Sequence, residues 1–411
     1  MAETAPDAVR RDRPRTFVLG LLAAATLIPV TLPVPVLRGL VHDRFAVSEF
    51  ATSVFMAINM VGALLVAPLA GAFADRTGRV RLGVAVALAL DALLFLAMAW
   101  TDSFACFLAL RALEGGTHIT ALSLLLSIAA ARARDAGRGR TMGIVGAGIT
   151  LGVAIGAPLG GALGRVEPLA PLHVAAALSG ATALLAAGVL RDGLAHESRP
   201  TLRAILALAR RERALRIPLT YAFVDRFTVG FFTTTFPLWM KRVHDLPAPR
   251  IGILLACFLA SFGLLAYPMG RLAERISRTA LLAGGSAVYG GLLLGLGLVP
   301  LDWLPLAMLA LGVSSAVMFV PSLILTGDVA PPAARGTALG AFNAAGSLGF
   351  VLGPLTGGAV SSAVATAGGG DSASWALGYA SAFAVAGAAE LLCVAITLPG
   401  LRRLVAAGRT A

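Results

Sequence analysis

Twelve stretches of this chain are apolar over a length that spans a lipid bilayer, and no other feature narrows its possible folds as far. A hydrocarbon core about 30 Å thick calls for about 20 helical residues. The runs lie near 16–37, 50–71, 82–101, 104–131, 141–164, 171–191, 216–240, 250–271, 279–300, 303–327, 336–364 and 375–400. With 58% hydrophobic and 13% charged residues, the chain holds more apolar side chain than one water-soluble core could bury. It therefore reads as an all-α integral membrane protein of twelve transmembrane helices, here numbered as spans 1 to 12. Glycine and proline inside the spans do not argue against helix, because neighbouring helices in a bundle satisfy the backbone groups they free.

The basic residues orient the spans. Of 33 lysines and arginines, 25 fall in the tails and connectors on the side of the N-terminus, six on the other side, and Arg111 and Arg226 fall within spans. By the positive-inside bias both termini are cytoplasmic. The net charge of +12 is accounted for by these connectors and argues against nucleic acid as a partner. The longest polar connector, RDGLAHESRPTLRAILALARRERALR at 191–216, divides six spans from six and has the composition of a short amphipathic surface helix. The expected organisation is a cytosolic tail at 1–15, a six-helix bundle at 16–191, a linker at 192–215, a second bundle at 216–400 and a tail at 401–411. Arginine-rich, lysine-poor composition points to a GC-rich bacterium and hence to the inner (plasma) membrane.

The halves are copies of one another. The segment GAFADRTGR at 71–79 reappears 199 positions later as GRLAERISR at 270–278, with the glycine, the acid and two arginines in register. Gly152, Gly156, Gly160 and Gly161 reappear 197 positions later as Gly349, Gly353, Gly357 and Gly358. Two unrelated segments repeating at nearly one offset indicate a duplicated six-helix unit, and parallel internal repeats are characteristic of secondary transporters.

These residues resemble the major facilitator superfamily along nearly the whole chain. Gly71, Asp75, Arg76, Gly78, Arg79 and Arg81 match its loop G-x-x-x-D-R-x-G-R-x-R between spans 2 and 3. RALEG at 111–115 is similar to the span-4 pattern R-x-x-Q-G, with Glu114 in place of glutamine. Gly152, Gly156, Pro158, Gly160 and Gly161 resemble the span-5 antiporter pattern G-x3-G-P-x-x-G-G with the proline displaced by one; Gly349, Gly353, Pro354, Gly357 and Gly358 in span 11 reproduce it in full. The resemblance implies two pseudo-symmetric six-helix bundles, alternating access, and a cytoplasmic gate formed by the loop residues and their second copy, Gly270, Glu274 and Arg275. Small residues also let helices approach closely, whatever the function. A positive-inside loop is the plainer explanation of the charges at 75–81.

Ionisable residues inside spans are the sharper signal, since a charge at the bilayer centre costs about 2.5–3.5 kcal/mol on insertion scales. Arg111, Glu114 and His118 are spaced to line one face of span 4. At 1.5 Å per residue from the outer end, Glu114 lies about 15 Å deep, near the midplane. A neighbouring arginine favours its ionised form and burial its neutral form, as suits a group that takes and releases a proton. Asp225 and Arg226 lie midway along span 7. By the resemblance, spans 1, 4, 7 and 10 line a central cavity into which these charges would project; structural ion pairs are the alternative. Asp91 in span 3 and Glu390 in span 12 fall in helices that are peripheral in the family, where a structural or interfacial role is expected.

The chain has no glutamine and only two asparagines, Asn59 and Asn343, too few amides for a sugar site. With Tyr221 and the aromatic residues of span 7, they are candidate cavity residues for a lipophilic or amphiphilic solute. The expected function is secondary active transport: proton-coupled efflux (antiport) of small lipophilic compounds by a monomer, with lipid, protons and the solute as partners. Proton-coupled import of a small organic anion, and a transporter-like sensor or accessory protein that moves nothing, remain alternatives. An enzyme is not expected, since the five histidines form no metal or triad spacing, and Cys106, Cys257 and Cys393 lie far apart in apolar runs. No metal and no cofactor are expected, the proton gradient supplying the energy.

Overall fold

The structure, a computed structural model, describes residues 5–77, 79–136, 138–190 and 202–406; the side chains of 5–15, 67–77, 130–136, 138–140, 142, 143, 202 and 333 lie outside that description. The described chain is helical throughout. Its helices are α1 (Ala5–Thr31), α2 (Glu49–Thr77), α3 (Val80–Trp100), α4 (Phe104–Ala136), α5 (Arg138–Leu163), α6 (Ala170–Val189) and α7 (Leu202–Arg211), followed by α8 (Arg216–Thr233), α9 (Thr235–Arg242), α10 (Ala248–Leu272), α11 (Arg278–Leu296), α12 (Leu304–Val329), α13 (Arg335–Ala367) and α14 (Ser372–Ala406).

Eleven of these regions are long and apolar enough to cross a membrane. Span 7 accounts for the difference from twelve. It is two helices, α8 and α9, meeting at Thr234, whose φ of −131° and ψ of −67° are not helical. The local sequence TTTFP explains the break. Pro237 has no N–H to offer the carbonyl of Thr233 and its ring crowds that carbonyl. Pro171, Pro249 and Pro305 sit in the first turns of α6, α10 and α12, where an N–H has no partner to lose, whereas Pro158, Pro268, Pro321, Pro354 and Pro399 stand inside helices that continue through them. α7 forms the helix expected in the linker and packs on α13. α1 begins at Ala5, so it runs through most of the segment that reads as a tail.

The chain condenses into two compact units. Unit 1 comprises residues 1–35 and 61–198, and unit 2 residues 36–60 and 199–411. In unit 1, α1 lies along α5, and α3 packs on α4 and α6. Leu19, Leu22, Val84, Leu88, Leu124, Leu125 and Ile128 fill its interior. In unit 2, α8 lies along α13, α10 along α12, and α11 between α12 and α14. The outward faces are apolar as well: Leu93, Leu184, Leu264 and Ile396 are all more than half exposed. A surface of that kind is stable against lipid tails and not against water.

Glycine lets α1 and α5, and α8 and α13, lie against each other. A Cβ at Gly152, Gly156 or Gly160 would come, in turn, within 2.3 Å of Ala24 O and 2.1 Å of Thr31 Oγ1 on α1, and 2.0 Å of Leu32 O just past its end. In unit 2 a Cβ at Gly349 or Gly353 would meet Phe223 O at 2.2 Å and Phe227 O at 2.1 Å, and one at Gly357 would meet Thr235 Oγ1 at 2.2 Å. At Gly152, Gly156, Gly160, Gly349 and Gly353 a backbone oxygen stands within 2.5 Å, and backbone at such distances cannot give way to a larger side chain.

Candidate functional site: buried charge in the membrane helices

Helical spacing puts Arg111, Glu114 and His118 on one side of α4, and packing makes that side an interior one. Arg111 and Glu114 are each 1% exposed and His118 6%. Arg111 Nη1 donates to Glu114 Oε2 at 2.7 Å, a charge-assisted bond inside the bundle. Asp91 joins them from α3. Its carboxylate accepts from Ser179 Oγ of α6 at 2.8 Å and from Thr117 Oγ1 of α4 at 3.2 Å, so it ties three helices. It is 1% exposed and therefore not interfacial. Ligand atoms of Asp91, Glu114 and His118 all lie within 4.8 Å of one another. The guanidinium of Arg111 already stands at the Glu114 carboxylate, where a cation would go. His118 Nδ1 meets no hydrogen-bond partner among the described residues.

In unit 2 the two charges of span 7 part company, because adjacent residues on a helix point about 100° apart. Asp225, 2% exposed, faces α11 and α14. Arg226 turns to α12 and α13, with its guanidinium 5.0 Å from the Phe319 ring centre and 5.6 Å from that of Phe350. Gly346 and Gly349 make the notch it lies in: a Cβ there would sit 2.9 Å from Arg226 Cγ and 3.1 Å from its Cβ. Glu390 of α14, expected at the periphery, is fully buried beside Asp225. Of the cavity candidates, Tyr221 is fully buried with Thr397 Oγ1 3.0 Å from its hydroxyl, Asn59 is buried, and Asn343 is exposed.

For the expected gate, Gly71, Asp75, Arg76 and Gly78 lie outside the described side chains. Arg79 precedes α3 and Arg81 is in its first turn. In the second copy, Glu274 and Arg275 are exposed beyond the end of α10, and Gly270, inside its last turn, is partly exposed. The ion pair there joins Arg278 to Asp328 of α12 instead, and Arg278 Nε also donates to Ala273 O at 3.3 Å.

The sequence reading passed over a further buried cluster, all of it within unit 2. Glu49, 3% exposed at the start of α2, accepts from Arg38 Nη1 at 3.1 Å, from Arg242 Nη1 at 2.8 Å and from the Tyr379 hydroxyl. The Arg242 guanidinium lies 3.9 Å from the Trp375 ring centre. Arg38 and Arg242 count in the sequence only as bases outside the spans; their common acid is 193 residues from Arg242 and 330 from Tyr379. No spacing rule could pair them.

The sequence model of the Major Facilitator Superfamily matches residues 16–221 and again 219–407, the two halves in turn. The chain belongs to the Major Facilitator Superfamily. It is a multi-pass membrane protein of a transporter family and not an enzyme. The magnetosome protein MamH of Paramagnetospirillum magneticum is 26% identical over 81% of this chain and 83% of its own length. The class C tetracycline resistance protein of Escherichia coli is 29% identical over 58% of this chain and 62% of its own. Among solved structures, a bacterial homologue of the human lysosomal transporter Spinster superposes with a TM-score of 0.81 at 15% identity, over 95% of this chain and 97% of that one, a likeness of fold. Glu114, which stands where the span-4 pattern R-x-x-Q-G has glutamine, is the partner of Arg111.

Proposed function

We infer that the protein is a proton-coupled exporter of small lipophilic or amphiphilic compounds, working by alternating access as a monomer in the inner membrane with both termini cytoplasmic. The observation that carries this reading is the Arg111–Glu114 pair, with His118 and Asp91 beside it, buried among the helices of unit 1. A carboxylate held there by one arginine has two low-energy states: ionised and paired, or protonated with the arginine free for another anion. Alternation between them links proton movement to the equilibrium between conformations. The many buried aromatic rings of α8, α9 and α14, Phe231, Phe232, Phe236, Trp239 and Phe383 among them, and the scarcity of amides favour an apolar solute. A tetracycline resistance protein and a chromaffin granule amine transporter of Homo sapiens among the relatives favour the same class.

The test is flux of tetracyclines, aromatic amines and lipophilic cations in proteoliposomes, with an imposed pH gradient and with an uncoupler. Glu114→Gln is expected to exchange solute down its own gradient and to lose uphill transport. Undiminished uphill transport by that variant removes Glu114 from the coupling. Import of a small organic anion is the second reading, favoured by the Arg226 guanidinium held between Phe319 and Phe350. Saturable uptake of aromatic carboxylates that Arg226→Gln abolishes would decide for it.

A further inference from the structure

We propose that Asp225 of α8 and Glu390 of α14 hold a single exchangeable proton between them, a second proton site lying in unit 2. Their carboxyls lie within hydrogen-bonding reach of each other, with Asp225 2% exposed and Glu390 not exposed at all. None of their four oxygens makes a hydrogen bond of normal geometry to a donor among the described residues, although the Ser286 hydroxyl faces Glu390. That is an unusual situation, because buried acceptors are almost always satisfied and a buried carboxylate more so.

The neighbours on each packed helix bond no cation to the pair. On α8, Arg226 acts on Asp225 across space but lies against the Phe319 and Phe350 rings, the Thr228 hydroxyl donates to the backbone oxygen of Asp225 at 2.9 Å, and the Tyr221 hydroxyl is engaged with Thr397. On α11, the Ser286 hydroxyl stands between Met318 Sδ, 3.4 Å away, and Glu390, and the Tyr289 hydroxyl lies beside Thr228 near both acids. On α14, Cys393 is the other titratable neighbour. Two facing carboxylates with no cation bonded to them repel at full strength in a dry interior. One proton shared between them changes the count: the protonated oxygen becomes a donor, the other carboxylate its acceptor, and a short charge-assisted bond replaces the repulsion.

Packing keeps the two acids from drifting apart. A Cβ at Gly290 would stand 3.1 Å from Glu390 Cβ, and one at Gly387 would stand 2.5 Å from Gly290 O, so the α11 and α14 backbones touch on this side and fix the Glu390 stem. The proposal rests on the proton-driven reading for its role in transport: with Glu114 it would make two sites that exchange protons in one cycle. The existence of the shared proton does not depend on that reading.

Infrared spectra of the purified chain in lipid nanodiscs test it. The wild type is expected to show the carbonyl stretch of a protonated carboxyl at neutral pH, shifting on transfer to deuterium oxide. Asp225→Asn and Glu390→Gln each supply an amide donor to the remaining carboxylate, so each should lose that band, whereas Glu114→Gln should keep it. Absence of the band from the wild type, or its persistence in both Asp225→Asn and Glu390→Gln, overturns the proposal. Should either variant fail to fold, the other and the count of protons released on an alkaline jump, one fewer than in the wild type, carry the test. A wild type that keeps the band but transports without proton drive would sink the exporter reading and leave the shared proton standing. Proton-driven transport by a chain that lacks the band would do the reverse.

Discussion

The two compact units bury ionisable groups at comparable depth in apolar helices, but they balance them in opposite ways. In unit 1 each acid has donors of its own: Arg111 for Glu114, Ser179 and Thr117 for Asp91. In unit 2 two acids face one another without a donor, and the nearby arginine spends its charge on aromatic rings. The difference teaches that a buried charge in a membrane helix is read from its partners and not from its depth. Removing a charge should therefore be costly at the Arg111–Glu114 pair of unit 1 and cheap at the Asp225–Glu390 pair of unit 2, whose other buried acid, Glu49, has donors of its own.

The largest expected effect comes from Arg111→Ala. It leaves a fully buried carboxylate without its cation, a loss of about 3–5 kcal/mol for a broken buried pair. Thermal unfolding in detergent should show it as the lowest midpoint of the series. Arg226→Ala, whose guanidinium is half-buried and not hydrogen-bonded to an acid, should cost far less, and an equal cost would erase the contrast between the units.

Glu114→Gln against Asp225→Asn sharpens the point with near-isosteric changes. Glu114→Gln removes the carboxylate that Arg111 bonds at 2.7 Å and should destabilise by about 1–3 kcal/mol, the usual range for losing a bond between charged groups. Asp225→Asn places a donor opposite Glu390 and should leave the melting midpoint unchanged or raise it. A lowered midpoint for Asp225→Asn would mean that the bond between the two acids holds more strongly than the amide–carboxylate bond that replaces it.

Ser179→Ala probes a single bond within unit 1. Asp91 loses one of two hydroxyl donors, at a cost of about 1.5 kcal/mol for a bond to a charged group, whereas Thr117→Val, removing the longer bond, should cost less. Denaturant titration of both variants checks the order. The smallest effect is reserved for Asp328→Asn: its pair with Arg278 is partly exposed, and such pairs contribute about 0–1 kcal/mol.

What could be read in advance follows the same logic of partners. The spans were legible because length and hydropathy are local properties, and the Arg111–Glu114 pair because its members are three positions apart on one helix. The repeat was legible because glycine, acid and arginine kept their register across the duplication. The interruption of span 7 was present in TTTFP, but an apolar run conceals a break from a reading based on hydropathy. Glu390 was placed at the periphery because the position of its helix was carried over from a family pattern; the direction in which its side chain points depends on Gly290 and Gly387, which bring α11 and α14 together. The Ser179 donor to Asp91 is 88 residues away, and the Tyr379 donor to Glu49 330. Pairs of that kind come into being only with the tertiary fold.

The membership of residues 36–60 in unit 2 bears on how such a chain can be cut and inherited. The ancestral duplication left its seam in the linker, yet the folded seam runs through the middle of α2, between residues 60 and 61. A gene split at the linker would yield a downstream product whose Arg242 and Tyr379 still lack the acid they enclose, because Glu49 is encoded upstream. The upstream half of the gene thus carries part of the downstream unit's fold, and once the clasp around Glu49 had evolved, the downstream copy could not be separated from the upstream one without losing it.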